Sequence, residues 1–289
     1  FRPVLRFIHA DQPRMLIADD VGVGKTIEAG LILQELKARN DVQKILIICP
    51  KPLITEHKWK NEMRRFGESF IELDSTALKD CIEETDRDGE WPIQYEKCIL
   101  PYSIFSDDIL GETPTKTSKK RRTPTLLELD PPPHFDLLIV DETHHIRNTS
   151  TIAYRTVEFF CTHADAVIFL TATPIQLRID DLFTQLQLLR PDIIHDASSF
   201  ETLSAPNPYI HHAIDIMRRG MPNWQDEASE SLSQVTQTTY AKDWPQTNPD
   251  YISIMEKLHD KPISQDERIR LISKTEELLT FSGIINRTR

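Results

Sequence analysis

Five short apolar runs set the strongest limit on how this chain can fold: Met15–Ala18, Ile45–Cys49, Cys98–Leu100, Leu137–Val140 and Val167–Leu170. Each is continuous rather than alternating, the pattern of a strand buried on both faces. Phe70–Leu73 is a possible sixth. Helical patterns stand between several of them. Ile27–Ala38 carries apolar residues at 27, 31, 32 and 36, Leu53–Phe66 reads as a second, polar helix, and Ala153–Cys161 as a third. Strands alternating with helices give an α/β fold with a parallel sheet covered on both faces, expected over residues 1–190.

Two segments interrupt that alternation. Glu72–Glu90 holds eight acidic and two basic residues and reads as a solvated face or loop. Glu112–Pro133 holds five of the 19 prolines and the basic run Lys116–Arg122, a composition expected to form a mobile loop. From Pro191 the strand signals stop. Asn207–Arg219, Tyr251–His259 and Asp266–Phe281 look helical, so residues 191–289 are expected to form a helical extension.

Several classes drop out on composition. No apolar run approaches the roughly 18 residues of a membrane span, and no signal-peptide pattern opens the chain. A first residue of Phe rather than Met reads as a processed chain or an excised fragment. Cys49, Cys81, Cys98 and Cys161 show no C-x-x-C spacing and read as reduced, buried thiols of a cytosolic protein, not as a zinc site. A net charge of −11 argues against nucleic-acid binding by overall charge but leaves room for a local basic track.

Glycine is scarce. There are 8, where average usage of about 7% would give about 20. Three of them, Gly22, Gly24 and Gly30, fall within nine residues. Ala18-Asp19-Asp20-Val21-Gly22-Val23-Gly24-Lys25-Thr26 follows an expected strand and opens an expected helix, the context that makes a phosphate-loop match credible. Glycines there let backbone N–H groups turn inward around an oxyanion, and the helix N-terminus adds a favourable dipole. Asp20, Val21, Gly22, Val23 and Gly24 would line the phosphates. Lys25 would reach the terminal ones, and the Thr26 hydroxyl would hold magnesium. Asp19 stands where the strict pattern has its first glycine. The plainer alternative is a glycine turn that binds nothing.

The run Phe135–Val140 ends in Asp141-Glu142-Thr143-His144-His145. Ligands of open parallel sheets sit at the carboxyl ends of the strands, which brings Asp141 beside the phosphate loop. Asp141 could then hold magnesium, and Glu142 could orient and deprotonate an attacking water. Adjacent histidines are expected to point to different faces with no third ligand, so His144-His145 and His211-His212 do not read as metal sites. Thr171 and Thr173 close the last strand in Leu170-Thr171-Ala172-Thr173-Pro174, where their hydroxyls could bond Asp141 or His144. A strand end stopped by proline is the equal alternative.

Together these residues carry a family resemblance. Asp19–Thr26, Asp141–His144 and Thr171–Gln176 resemble motifs I, II and III of helicase superfamily two, and more narrowly those of the Swi/Snf-type DNA translocases. Ile27-Glu28-Ala29-Gly30 resembles the RapA/HepA-like branch. Cys49–Leu53, with Trp59 and Glu62, is similar to motif Ia. Asp181–Phe183 and Leu188–Pro191 resemble the stretch after motif III, and Ile284–Arg289 the entry to a second lobe. The resemblance implies a RecA-like P-loop NTPase lobe of a motor that couples ATP hydrolysis, with magnesium, to movement on double-stranded DNA. It implies coupling roles for His144, Thr171 and Thr173. It also implies a second RecA-like lobe, absent from this chain, that supplies charge-stabilising arginines, and a prokaryotic cytoplasmic setting in which RNA polymerase, defence or repair proteins are partners.

Two departures stand out. Motifs IV to VI have no counterpart in this chain, and Thr143 replaces the usual alanine of motif II, a small change in volume expected to be tolerated. For DNA, Lys51–Arg65 carries five basic and two acidic residues, with Lys51, Lys58 and Lys60 as the leading contacts and Lys116–Arg122 as the second candidate. Two other readings stay open at this point: a P-loop ATPase or kinase unrelated to DNA, and a non-catalytic module that docks partners.

Overall fold

The computed structural model describes residues 2–18, 24–39, 42–112, 123–172, 179–260 and 263–286. Seven strands form one sheet: β1 Arg14–Ala18, β2 Ile45–Cys49, β3 Ile71–Glu72, β4 Lys97–Pro101, β5 Phe135–Val140, β6 Ala164–Thr171 and β7 Ile285–Asn286. All neighbours are parallel, in the order β3-β4-β2-β5-β6-β1-β7. The continuous apolar runs are therefore the sheet itself. Alternate residues of each strand face opposite helical layers, so a central strand has no polar side (β2 is buried at all five positions).

The helices around this sheet are α1 Arg2–His9, α2 Lys25–Arg39, α3 Lys51–Thr55, α4 Lys58–Arg65, α5 Ser75–Asp88, α6 Asp107–Leu110, α7 Ile152–Thr162 and α8 Ile179–Leu189. One face of the sheet, with Met15, Ile17, Ile45, Ile47, Leu137, Ile139 and Ile168, packs on Ile32, Leu33 and Leu36 of α2 and Trp59 and Met63 of α4. The other face is met by α7 and α8. Burying each such side chain contributes about 1.5–3 kcal/mol. Glu68 is a buried carboxylate that ties α2 to β4 through Lys37 and through Lys97 at 2.6 Å. Burial pushes its pKa up, but the two lysine hydrogen bonds outweigh that and leave it lowered. All four cysteines are buried and unpaired, and burial raises the pKa of each thiol.

The structure departs from the sequence expectations in four places. Glu72–Glu90 is mostly helix α5, whose inner face of Leu78, Cys81, Ile82 and Thr85 is buried. Its charges occupy the outer face, and Asp74 caps it by accepting from the N–H groups of Thr76 and Ala77. The single helix expected over Leu53–Phe66 is two, broken at His57. That residue takes a left-handed φ of 50°, and its Nδ1 lies 2.8 Å from Glu72 Oε2. Within Glu112–Pro133, the part from 123 onward is packed rather than loose. A capping box joins Thr125 and Glu128, and Leu126 and Leu129 are buried. The basic run Lys116–Arg122 lies outside the described residues. Finally, Ile285–Asn286 is strand β7, paired with β1 through Leu16↔Ile285. Two residues are too few to carry a readable period.

The chain divides into two compact units, residues 1–191 with 285–289, and residues 192–284. The second unit is helical: α9 Ala197–Ser204, α10 Asn207–Arg219, α11 Trp224–Gln234, α12 Trp244–Thr247, α13 Pro249–His259 and α14 Gln265–Glu277. It has its own core, with Ile210, Ile214, Met217, Leu232, Tyr251, Ile254 and Leu271. Asn248 and Ser264 cap α13 and α14, and Phe200 stacks on Phe281 at 5.4 Å.

Gly30 explains why one of the scarce glycines lies past the loop. It is fully helical, and a Cβ there would stand 2.2 Å from the ring of Phe66, the residue ending α4. Gly30→Ala is therefore expected to destabilise the fold by about 1–3 kcal/mol through overpacking, against about 1 kcal/mol gained from helix propensity. In a Phe66→Leu background the same change should be neutral or stabilising. Urea unfolding of the four chains checks this, and additivity would refute the contact.

Candidate functional site

In a parallel sheet every strand's carboxyl end opens on one edge. Here β5, β6 and β1 are consecutive, so Asp141 after β5 and the end of β1 at Ala18 lie on the same edge two strand spacings apart, roughly 10 Å. Of the expected phosphate loop, Asp20, Val21, Gly22 and Val23 lie outside the described residues. Gly24 has φ +96°, a conformation that favours glycine, and its carbonyl accepts the Glu28 N–H at 3.0 Å to start α2. A Cβ at Gly24 would meet only Ile27, at 3.7 Å, so the glycine is needed for backbone conformation, not space. Lys25 and Thr26 occupy the first turn of the fifteen-residue helix and are half-buried.

Asp141 is 6% exposed and tied on every side. Its Oδ2 accepts from Trp59 Nε1 at 2.9 Å, and its Oδ1 from the Glu142 N–H at 2.9 Å. Its carbonyl accepts from Tyr102 Oη at 2.8 Å, and its own N–H donates to Ile48 O at 2.8 Å. Burial raises its pKa, opposed by the Trp59 hydrogen bond and reinforced by the Glu142 charge. A nearby cation would favour the ionised form and offset that desolvation.

Glu142 sits at φ 51°, ψ 56°, left-handed for a non-glycine residue. Such strain costs on the order of 1–3 kcal/mol and persists where neighbours hold it. Its side chain is about a quarter exposed, and His144 Nδ1 lies 3.2 Å from its Oε2. The two histidines do not point to different faces. In the short 3-10 turn Thr143–Ile146 their rings tilt together at 4.4 Å, and His145 rests on Tyr102 at 5.1 Å. Burial and the neighbouring His144 lower the pKa of His145. Thr171 is fully buried at the end of β6, and its hydroxyl has no hydrogen-bond partner among the described residues. It bonds neither Asp141 nor His144, and Thr173 lies outside the described residues.

Lys51 opens α3 directly after β2, the strand next to β5. Lys58 and Lys60 flank Trp59 on α4. Lys51 and Lys58 are exposed and Lys60 half-buried, and among the described residues none of the three pairs with a carboxylate. The charge of Lys58 reaches Asp141 and lowers its pKa.

Sequence reasoning placed Trp59 only in the motif Ia resemblance and Thr143 only as a tolerated replacement of alanine, and it missed Tyr102 and Gln185. The Thr143 hydroxyl donates to Gln185 Oε1 at 2.9 Å, and both residues are fully buried. Tyr102 stands two residues past the apolar run Cys98–Leu100, where nothing in the sequence marked it. Nor was Gln185 marked, since a lone polar residue on a helix carries no pattern.

The N–H of Trp59 meets a charged acceptor, the hydroxyl of Tyr102 a neutral one. Trp59→Phe should therefore destabilise this chain by about 1.5–3 kcal/mol from the hydrogen bond alone, and Tyr102→Phe by about 1 kcal/mol. Equal losses in urea unfolding would count against a charged Asp141.

A model of the SNF2-related domain matches residues 5–250. RNA polymerase-associated protein RapA of Actinobacillus pleuropneumoniae serotype 5b (strain L20) is 37% identical over 223 residues, 74% of this chain and 21% of that protein. The protein of the same name from Pasteurella multocida (strain Pm70) is 38% identical over 192 residues, 65% of this chain and 18% of that protein. This chain thus spans about a fifth of the length of the curated relatives it matches. Among solved structures, the Sulfolobus solfataricus SWI2/SNF2 ATPase core in complex with dsDNA aligns over 99% of this chain and 75% of that one, at 14% identity and a TM-score of 0.47. With the family model covering most of its length, the chain belongs to the SNF2-related domain family.

Proposed function

We propose that this chain is the ATP-binding lobe of a DNA-dependent ATPase that moves on double-stranded DNA or remodels protein–DNA complexes. The observation that carries the reading is the shared sheet edge: a glycine-opened helix N-terminus with Lys25 and Thr26 on one side, and a buried acid followed by a partly exposed one on the other.

The residues fit a magnesium–nucleotide pair. A fifteen-residue helix presents its N-terminal N–H groups, Thr26 offers a hydroxyl, and Asp141 is a buried carboxylate whose desolvation a cation would relieve. When bound, magnesium would neutralise charge developing on the phosphates. The amides of residues 20–24 and the Lys25 ammonium hold and orient the phosphate chain. Thr26 and Asp141 would hold the metal. Glu142, at the rim with one carboxylate oxygen near His144, takes the proton of the attacking water. His144, Thr171 and Thr173 couple the state of this edge to the DNA track, for which Lys51, Lys58 and Lys60 are the contacts.

Family resemblance assigns the charge-stabilising arginines to a second RecA-like lobe, so the 289 residues alone should bind nucleotide but hydrolyse it very slowly. The relatives' name, RNA polymerase-associated protein, supports RNA polymerase as a partner; a prokaryotic cytoplasmic setting belongs to the same reading. Among the described residues no helix is long and apolar enough to cross a membrane.

Glu142→Gln in the gene product that carries this lobe should keep nucleotide affinity within about twofold and lower DNA-stimulated turnover by about 10²–10⁴-fold. Retained turnover would overturn the assignment. Replacing Lys51, Lys58 and Lys60 together by Ala should flatten the log–log salt dependence of duplex binding by about 0.9 per lost phosphate contact. An unchanged slope would remove α3 and α4 from the DNA track.

A further inference from the structure

We propose that Gln185 is a positioning residue for Glu142, acting through Thr143. The inference rests on the role given to Glu142 above and adds a residue that the family motifs do not include.

Glu142 is held in a left-handed turn, and that turn is fixed at two points. On one side its N–H donates to Asp141 Oδ1 at 2.9 Å. On the other, the next residue, Thr143, is anchored by its hydroxyl to Gln185 Oε1 at 2.9 Å, 42 positions later on α8. Both partners are fully buried, so water does not compete for this bond. The 3-10 turn that Thr143 opens packs on both β6 and α8. A hydroxyl to amide bond has a direction and a length, which apolar contact does not supply. It therefore sets where the Glu142 peptide stands relative to α8.

Stability alone does not account for the pair. Gln185 Nε2 is buried with no hydrogen-bond partner among the described residues. Two apolar side chains of similar shape would remove that unsatisfied donor, and such replacements are often neutral or stabilising. One turn along α8 from Gln185, Leu188 and Leu189 are buried and apolar, so a leucine at this position would meet apolar neighbours on its own face. A polar link that costs stability and ends one residue from the water-activating carboxylate is the arrangement expected of positioning. It also connects the turn to α8, the helix that follows Thr171 and Thr173 in sequence. A shift of α8 would then reach Glu142 without displacing β5.

The test compares Thr143→Val, Thr143→Ser, Gln185→Leu and the double variant T143V/Q185L in the gene product. DNA-stimulated kcat, KM for ATP and thermal stability are read for each, with Glu142→Gln as a parallel control. Val removes the hydroxyl at nearly constant volume, and Ser keeps it. The expected result is a kcat about tenfold lower in T143V and Q185L, with KM within about twofold, and near-normal kcat in T143S. The double variant should recover stability, because no polar group is left unpaired, yet keep the low kcat. If kcat instead follows stability and recovers in the double variant, or is unchanged throughout, the proposal is overturned and the pair is structural. Turnover retained by Glu142→Gln would mean that the Glu142 reading itself has failed. An inactive Glu142→Gln beside a fully active T143V/Q185L would sink only the positioning role.

Discussion

A carboxylate at the end of a central, doubly covered strand cannot stand alone, and the first unit is arranged around that constraint. Asp141 sits where β5 leaves the core, 6% exposed, and desolvation works against its charge. Trp59 reaches it from α4, Tyr102 reaches its carbonyl from the end of β4, and the Glu142 N–H closes on its second oxygen. Each tie comes from a different element. The acid therefore reports the relative placement of three segments that enter the sheet edge separately.

The left-handed backbone at Glu142 follows from the same geometry. The chain must turn sharply off β5 to keep the Asp141 carboxylate on its own N–H, and a residue with a Cβ is held there under strain. Thr143 and Gln185 oppose its relaxation from the far side. Trp59 lies between Lys58 and Lys60 in sequence, so the helix that carries these two lysines is also the one that touches the acid. Lys58, one residue before Trp59 at the same end of α4, acts on Asp141 by its charge alone.

Much of this was legible in the residues, and the rest was hidden for identifiable reasons. Continuous apolar runs named β1, β2, β4, β5 and β6 because strands buried on both faces leave nothing to alternate. β7 was invisible, since two residues carry no period and its pairing with β1 is set by chain 269 residues away in register, Leu16 with Ile285. α5 was obscured by its charge, though Leu78, Cys81, Ile82 and Thr85 have the helical spacing and Asp74 the capping position. The break at His57 depended on a partner, Glu72, that local sequence could not supply. At the site, glycine spacing and the acid pair pointed to Gly24, Lys25, Asp141 and Glu142. Only the tertiary contacts showed that Trp59 and Tyr102 bond Asp141 and that Gln185 bonds Thr143.

In the function proposed above, the start of α2 and the end of β5 form one metal–nucleotide site. Manganese paramagnetic resonance on this chain, titrated in the presence and absence of ATP, tests it most directly. One tightly bound manganese that requires ATP, and is lost in both Lys25→Ala and Asp141→Asn, is the expected result. Manganese and ATP binding that survives Asp141→Asn unchanged would contradict it.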